Sequence, residues 1–165
     1  AIGELVVENK EFAAQLSLDF VGIVSKEVKA SMANHGLTPY CNFHGYIPHD
    51  EARKCQFKAH LLLLIEIDSE AHKGIIPGKV FEYLQSLRPI LAIGPKNWDV
   101  AQLLPENNSN ALGTYQDKAL IKSFIQNRFN HGIEILAASD PAISKFERKN
   151  LTRALSKIIK NLRRS

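Results

Sequence analysis

The chain has 165 residues, room for one domain with its own core, and its 45% hydrophobic and 23% charged residues are ordinary for a globular protein. No apolar run approaches the roughly 20 residues needed to span a bilayer, and no basic segment followed by an apolar stretch marks a secretory leader. The net charge of +4 is concentrated: residues 145–165 carry eight Lys or Arg and one Glu, which leaves −3 elsewhere and argues against a nucleic-acid-binding face across the domain.

Taken in chain order, strand-like and helix-like segments alternate. Residues Ile2 to Gln15 read as one helix, and Leu16 to Val24 as a strand rich in β-prone side chains. Ser25 is placed to cap a helix from Lys26 to His35, with Glu27 in its first turn and Gly36 to end it. Cys41 to Gly45 is a short strand, followed by a helix over about Asp50 to Lys58. His60 to Ile67 is nearly all apolar, as expected of a central parallel strand covered on both faces. A polar loop, Asp68 to Ile76, reaches Pro77-Gly78 and a helix over Lys79 to Leu87.

Pro89 to Ile93 is another buried strand, ended by Gly94-Pro95. Asp99 to Leu104 reads as a short helix and Ala111 to Thr114 as a last strand. Asp117 to Asn130 and Arg148 to Leu162 carry apolar residues at helical spacing. Strands separated by helices of this length predict a parallel sheet with helices on both faces, an α/β architecture that binds ligands beyond the carboxyl ends of its strands.

Other side chains point to little chemistry. Cys41 and Cys55 lack a C-x-x-C spacing and read as free thiols. None of the six histidines has the spacing of a helical zinc pair, and no G-x-S-x-G elbow is present, so neither a metal site nor a serine nucleophile is assigned. Asp99 reads as a helix start, with a ligand contact as the alternative, and Trp98 as either a lid or a core anchor. The closing helix either packs its greasy side on the domain or approaches anionic lipid or a partner domain.

The stretch Gly74 to Pro95 (GIIPGKVFEYLQSLRPILAIGP) carries the most information. A loop containing Pro77 and Gly78 enters a helix that follows a buried strand. Backbone N–H groups at that helix start are unpaired, and the helix dipole adds about half a positive charge, which suits a phosphate or diphosphate. Lys79 adds a full charge. Glu82 follows three residues later on the same face, where a carboxylate suits ribose hydroxyls. The plain alternative is an ordinary surface ion pair between Lys79 and Glu82.

This run, with Asp99-Val100-Ala101 after it, resembles the donor-site segment of bacterial group 1 glycosyltransferases, GT-B enzymes built of two Rossmann-like domains. Residues 43–52 (FHGYIPHDEA) resemble their F-x-G-x-V-x-x-x-E strand and turn, Phe20-Val21-Gly22 the strand of their second βα unit, and Phe146 to Leu162 their closing helix. The likeness runs in order from about residue 16 to 162. It implies that residues 1–165 are a single Rossmann-like donor-binding domain, the C-terminal half of a GT-B fold.

The resemblance further implies the roles of single residues. Glu82 matches the second acid of the family's E-x7-E motif and would hold the donor ribose. Gly74 falls on the first position, where many relatives have Glu, so backbone groups of Ile75, Ile76, Pro77 and Gly78 would hold the donor there. Lys79 would contact phosphate, and Gly45, Tyr46 and Ile47 would lie near the nucleobase. His60 stands where relatives often have Asp.

The implied donor is a nucleotide-sugar, with no further cofactor and no metal. The implied partners are an N-terminal acceptor domain outside this sequence, which would complete the catalytic cleft, and the inner face of the cytoplasmic membrane. Catalytic residues are not assigned, and a cytoplasmic location is expected. The rival expectations are a non-catalytic nucleotide-binding or interaction domain and a GT-B nucleotide-sugar epimerase fragment.

Overall fold

A computed structural model of the chain describes residues 1–104, 109–132, 144 and 146–162. Its helices are α1 (Ile2–Glu8), α2 (Lys10–Gln15), α3 (Lys26–Asn34), α4 (His49–Lys58), α5 (Lys79–Ser86), α6 (Lys118–His131) and α7 (Arg148–Leu162). Its strands are β1 (Leu18–Val21), β2 (Cys41–Gly45), β3 (Leu62–Ile65), β4 (Ile90–Ile93) and β5 (Ala111–Gly113). Every strand pairing is parallel, β1 with β2 and β3 with β4 with β5, so the fold is α/β of the Rossmann-like kind. The strands form two sheets, and the chain divides into two compact units, Ala1–Lys58 with Gln116–Gly132, and Ala59–Tyr115 with Ile133–Ser165.

In the first unit, the expected helix over Ile2 to Gln15 is broken at Asn9, which is extended at φ −131° and ψ 103°. Asn9 ends α1 and caps α2, its side chain accepting from the Phe12 N–H at 3.0 Å. That capping preference of Asn overrides helical periodicity that otherwise runs through. Glu4 and Glu8 of α1 pair with Lys118 and Lys122 of α6, and Phe12 meets Phe129 edge to face at 5.3 Å between centroids. The α3 ends are as expected: the Ser25 side chain accepts from the Val28 N–H, and Gly36 turns at φ +68° while Leu37 N–H reaches back to the Met32 carbonyl at 2.8 Å.

Side chains alternate across β1 and β2. Phe20 stacks on Phe43 at 5.1 Å, with the Lys29 ammonium 4.8 Å from the Phe43 ring centre. The opposite face is polar. There Asp19 accepts from Ser17 at 2.9 Å and Asn42 at 3.3 Å, and its carboxylate meets His44 Nε2 at 2.8 Å. The hydrogen bond from His44, with those from Ser17 and Asn42, holds the Asp19 carboxyl below its usual range.

In the second unit the central strand is β4, whose Ile90, Leu91 and Ala92 are all buried. The expectation of a central strand at His60 to Ile67 is corrected: β3 is an outer strand of its sheet, with Leu62 and Leu64 buried but Leu63 43% and Ile65 46% exposed. An unbroken apolar run fits either position, because only the partner strands decide how many faces are covered. Under the sheet, Val80 and Leu84 of α5 join Leu64, Ile90, Trp98 and Val100 in one core. Asp99–Gln102 forms a 3-10 turn rather than a short α-helix.

Two outcomes test this packing. A Cβ on Gly94 stands 2.5 Å from the Trp98 ring, so Gly94→Ala destabilises the fold by about 1–3 kcal/mol in denaturant unfolding; a change near zero shows that the ring yields freely. The Asp19 carboxyl binds its proton less readily folded than unfolded. Its contribution is therefore present above the unfolded carboxyl pKa and is lost as pH falls through the folded value. Asp19→Asn flattens the decline in urea midpoint between neutral and acid pH.

Candidate functional site

The candidate site grows from the connection between β3 and β4. The two strands are parallel and α5 links them, so the amino end of α5 lies toward the carboxyl end of β3, where parallel sheets bind ligands. The loop before it makes a 3-10 turn at Glu70–His72, started by the Ser69 side chain accepting from the Ala71 N–H. Ile75 N–H then returns to the His72 carbonyl at 3.0 Å.

The second loop of the unit braces the first. Trp98 is 1% exposed, and its indole N–H donates to the Ile75 carbonyl at 2.6 Å. Asp99 N–H donates to the Lys73 carbonyl at 2.9 Å. A buried indole needs a partner for its N–H, and here the partner is the backbone of the candidate loop. Trp98 is therefore a core anchor rather than a lid. The carboxylate of Asp99 stands 3.8 Å from where a Cβ on Gly74 would be, so an acid neighbours Gly74.

The amino end of α5 has no side-chain cap. Gly78 takes helical angles, φ −55° and ψ −30°, and the first turn closes with Val80 N–H on the Pro77 carbonyl at 3.0 Å and Phe81 N–H on Gly78 at 3.2 Å. The uncapped end and the helix dipole make this a positive locus. Lys79 is exposed beside it and Glu82 half-buried one turn on. The side of α5 that bears Val80 and Leu84 is buried in the core, while Phe81 meets Phe146 at 5.7 Å. Burial, and then the neighbouring Glu82 charge, push the Tyr83 hydroxyl up.

Negative groups also mark this rim. Tyr115 donates to the Glu66 carbonyl at 2.8 Å, and burial together with the Asp68 and Glu66 charges raises its pKa. Lys73 is paired with Glu70. In the same loop the ring nitrogen Nδ1 of His72 is buried without a hydrogen-bond partner.

Of the residues singled out from sequence, Gly74, Ile75, Ile76, Pro77, Gly78, Lys79 and Glu82 lie together on this loop and helix of the second unit. Gly45, the last residue of β2, and Tyr46 and Ile47 just after it belong to the first unit. There Gly45 turns at φ +65° and its carbonyl accepts from Gly22 N–H at 2.8 Å, while Tyr46 is exposed. His60 is exposed just before β3. The Trp98 brace and the unpartnered His72 nitrogen were missed, and their only signal in sequence is a tryptophan four residues after a loop glycine. Among the described residues no group of three or more His, Cys, Asp or Glu could hold a metal ion. No protein-family model and no curated protein matches the chain.

Trp98→Phe keeps most of the ring but leaves the Ile75 carbonyl without its donor. The expected cost is about 1–3 kcal/mol, with faster amide exchange confined to the loop around Ile75. Unchanged exchange there shows that the brace does not order the loop.

Proposed function

We propose that this chain supplies the donor-binding site of a glycosyltransferase, which moves a sugar from a nucleotide-sugar to a saccharide or lipid-linked acceptor. The observation that carries this reading is the uncapped amino end of α5 toward the carboxyl end of β3, with Lys79 beside it and Glu82 one turn along. The resemblance of the Gly74 to Pro95 run to group 1 glycosyltransferases supports it.

In this reading the diphosphate rests against the backbone N–H groups at Gly78 and Lys79. As the bond between the sugar's anomeric carbon and the diphosphate oxygen breaks, negative charge grows on the leaving diphosphate. Fixed N–H dipoles and the Lys79 ammonium stabilise that charge more than the ground state, which is the condition for catalysis. The Glu82 carboxylate accepts hydrogen bonds from the ribose hydroxyls. Asp99, beside Gly74, stands in for the missing first acid of the motif and holds hydroxyls of the donor sugar. Turnover requires an acceptor-binding domain, whose residues complete the cleft in the cytoplasm.

Calorimetric titration with UDP, GDP and their sugars tests this. One nucleoside diphosphate binds. Lys79→Ala weakens it by about tenfold, the worth of one charge-assisted contact. Glu82→Ala weakens the nucleoside diphosphate but leaves inorganic pyrophosphate unchanged, since only the former carries ribose. Binding that ignores both substitutions moves the site elsewhere.

A further inference from the structure

Helix α7 has 15 residues and not one is buried. Its root is attached: Phe146 packs on the second unit's core, Asn150 donates to the Ser144 carbonyl at 2.7 Å, and Leu151 N–H donates to the Glu147 carbonyl at 3.0 Å. Beyond that root the apolar stripe lies open, with Leu155 57% and Leu162 72% exposed and Leu151, Ile158 and Ile159 similarly bare. Of the alternatives the sequence left open for this helix, packing of its greasy side on the domain is not what the structure shows. At 100° per residue these five side chains occupy one arc of the helix. Lys149, Arg153, Lys157 and Lys160 occupy the opposite arc, and the helix contains no acid.

We propose that α7 lies in the plane of an anionic lipid surface, its aliphatic stripe sunk into the acyl boundary and its basic side chains drawn to the headgroups. Charge decides the occupant. The helix is basic and the chain outside residues 145–165 is net negative, so attraction to an anionic surface is local to α7. Lys and Arg stems are long enough to reach headgroups while the stripe is buried. A second copy would bring two wholly basic helices together. At about 22 Å long, such a helix pair also offers less than the roughly 1,200 Å² expected of a stable interface. Among the described residues no helix is long and apolar enough to cross a membrane, which fits a helix lying on the surface. The proposal is independent of the donor-site reading.

Co-sedimentation of the full chain with phosphatidylglycerol-containing vesicles, against pure phosphatidylcholine, tests it. Binding to the anionic vesicles is stronger by at least about tenfold and falls at high salt. The double variants Leu155→Asp with Ile158→Asp, and Lys157→Glu with Lys160→Glu, each lose this binding. Their thermal unfolding stays unchanged, because these positions touch no core. Equal binding to both vesicle types, or variants that bind like the unsubstituted chain, overturns the proposal. So does a concentration-dependent dimer, abolished by Leu155→Asp with Ile158→Asp, in a chain that ignores vesicles.

Discussion

The indole of Trp98 carries two obligations that the surrounding chain must meet together. Its ring is buried and leaves no room for a side chain on Gly94, where a Cβ would stand 2.5 Å away. Its N–H cannot be left unpaired inside the core without cost, and it takes the Ile75 carbonyl at 2.6 Å. The core of the second unit is thereby wired to the loop that leads into α5. The Ile75 end of that loop is thus held by a contact more than 20 residues away in sequence.

That long-range contact explains which parts were legible in the sequence. Elements with local signals appear where expected: β2 and α7 match residue for residue, and Ser25 and Gly36 end α3 through their own side chain and backbone freedom. The run Gly74 to Glu82 was legible as a loop leading into a helix start, because Pro-Gly before an amphipathic helix is a local pattern. Features set by partners were not legible. The exposure of Leu63 and Ile65 depends on which strands pair with β3, and the open stripe of α7 on what packs beside it. Asn9 shows a third kind of failure, in which one capping side chain divides a run whose apolar spacing looks continuous.

Charge is distributed unevenly around the second unit. Lys79 stands at the positive end of α5, while Glu66 and Asp68 follow β3 and raise the neighbouring Tyr115. An anion at α5 is thus favoured by the helix end and opposed by the β3 rim. In the proposed reading a diphosphate therefore rests on the α5 side of the loop rather than beside those acids. In the same reading the Glu82 and Asp99 carboxylates accept hydrogen bonds from sugar hydroxyls, which is why that reading names a nucleotide-sugar rather than a simple phosphate ion.

In the proposed reading, backbone N–H groups at the start of α5 receive a diphosphate. Backbone amide NMR spectra recorded while UDP or GDP is added measure this directly. The account predicts saturable shifts centred on the Gly78 and Lys79 amides, smaller ones at Ile75, and none of comparable size in α7. A nucleotide that binds while the Gly78 and Lys79 amides stay fixed contradicts it, as does the absence of any shift at saturating nucleoside diphosphate.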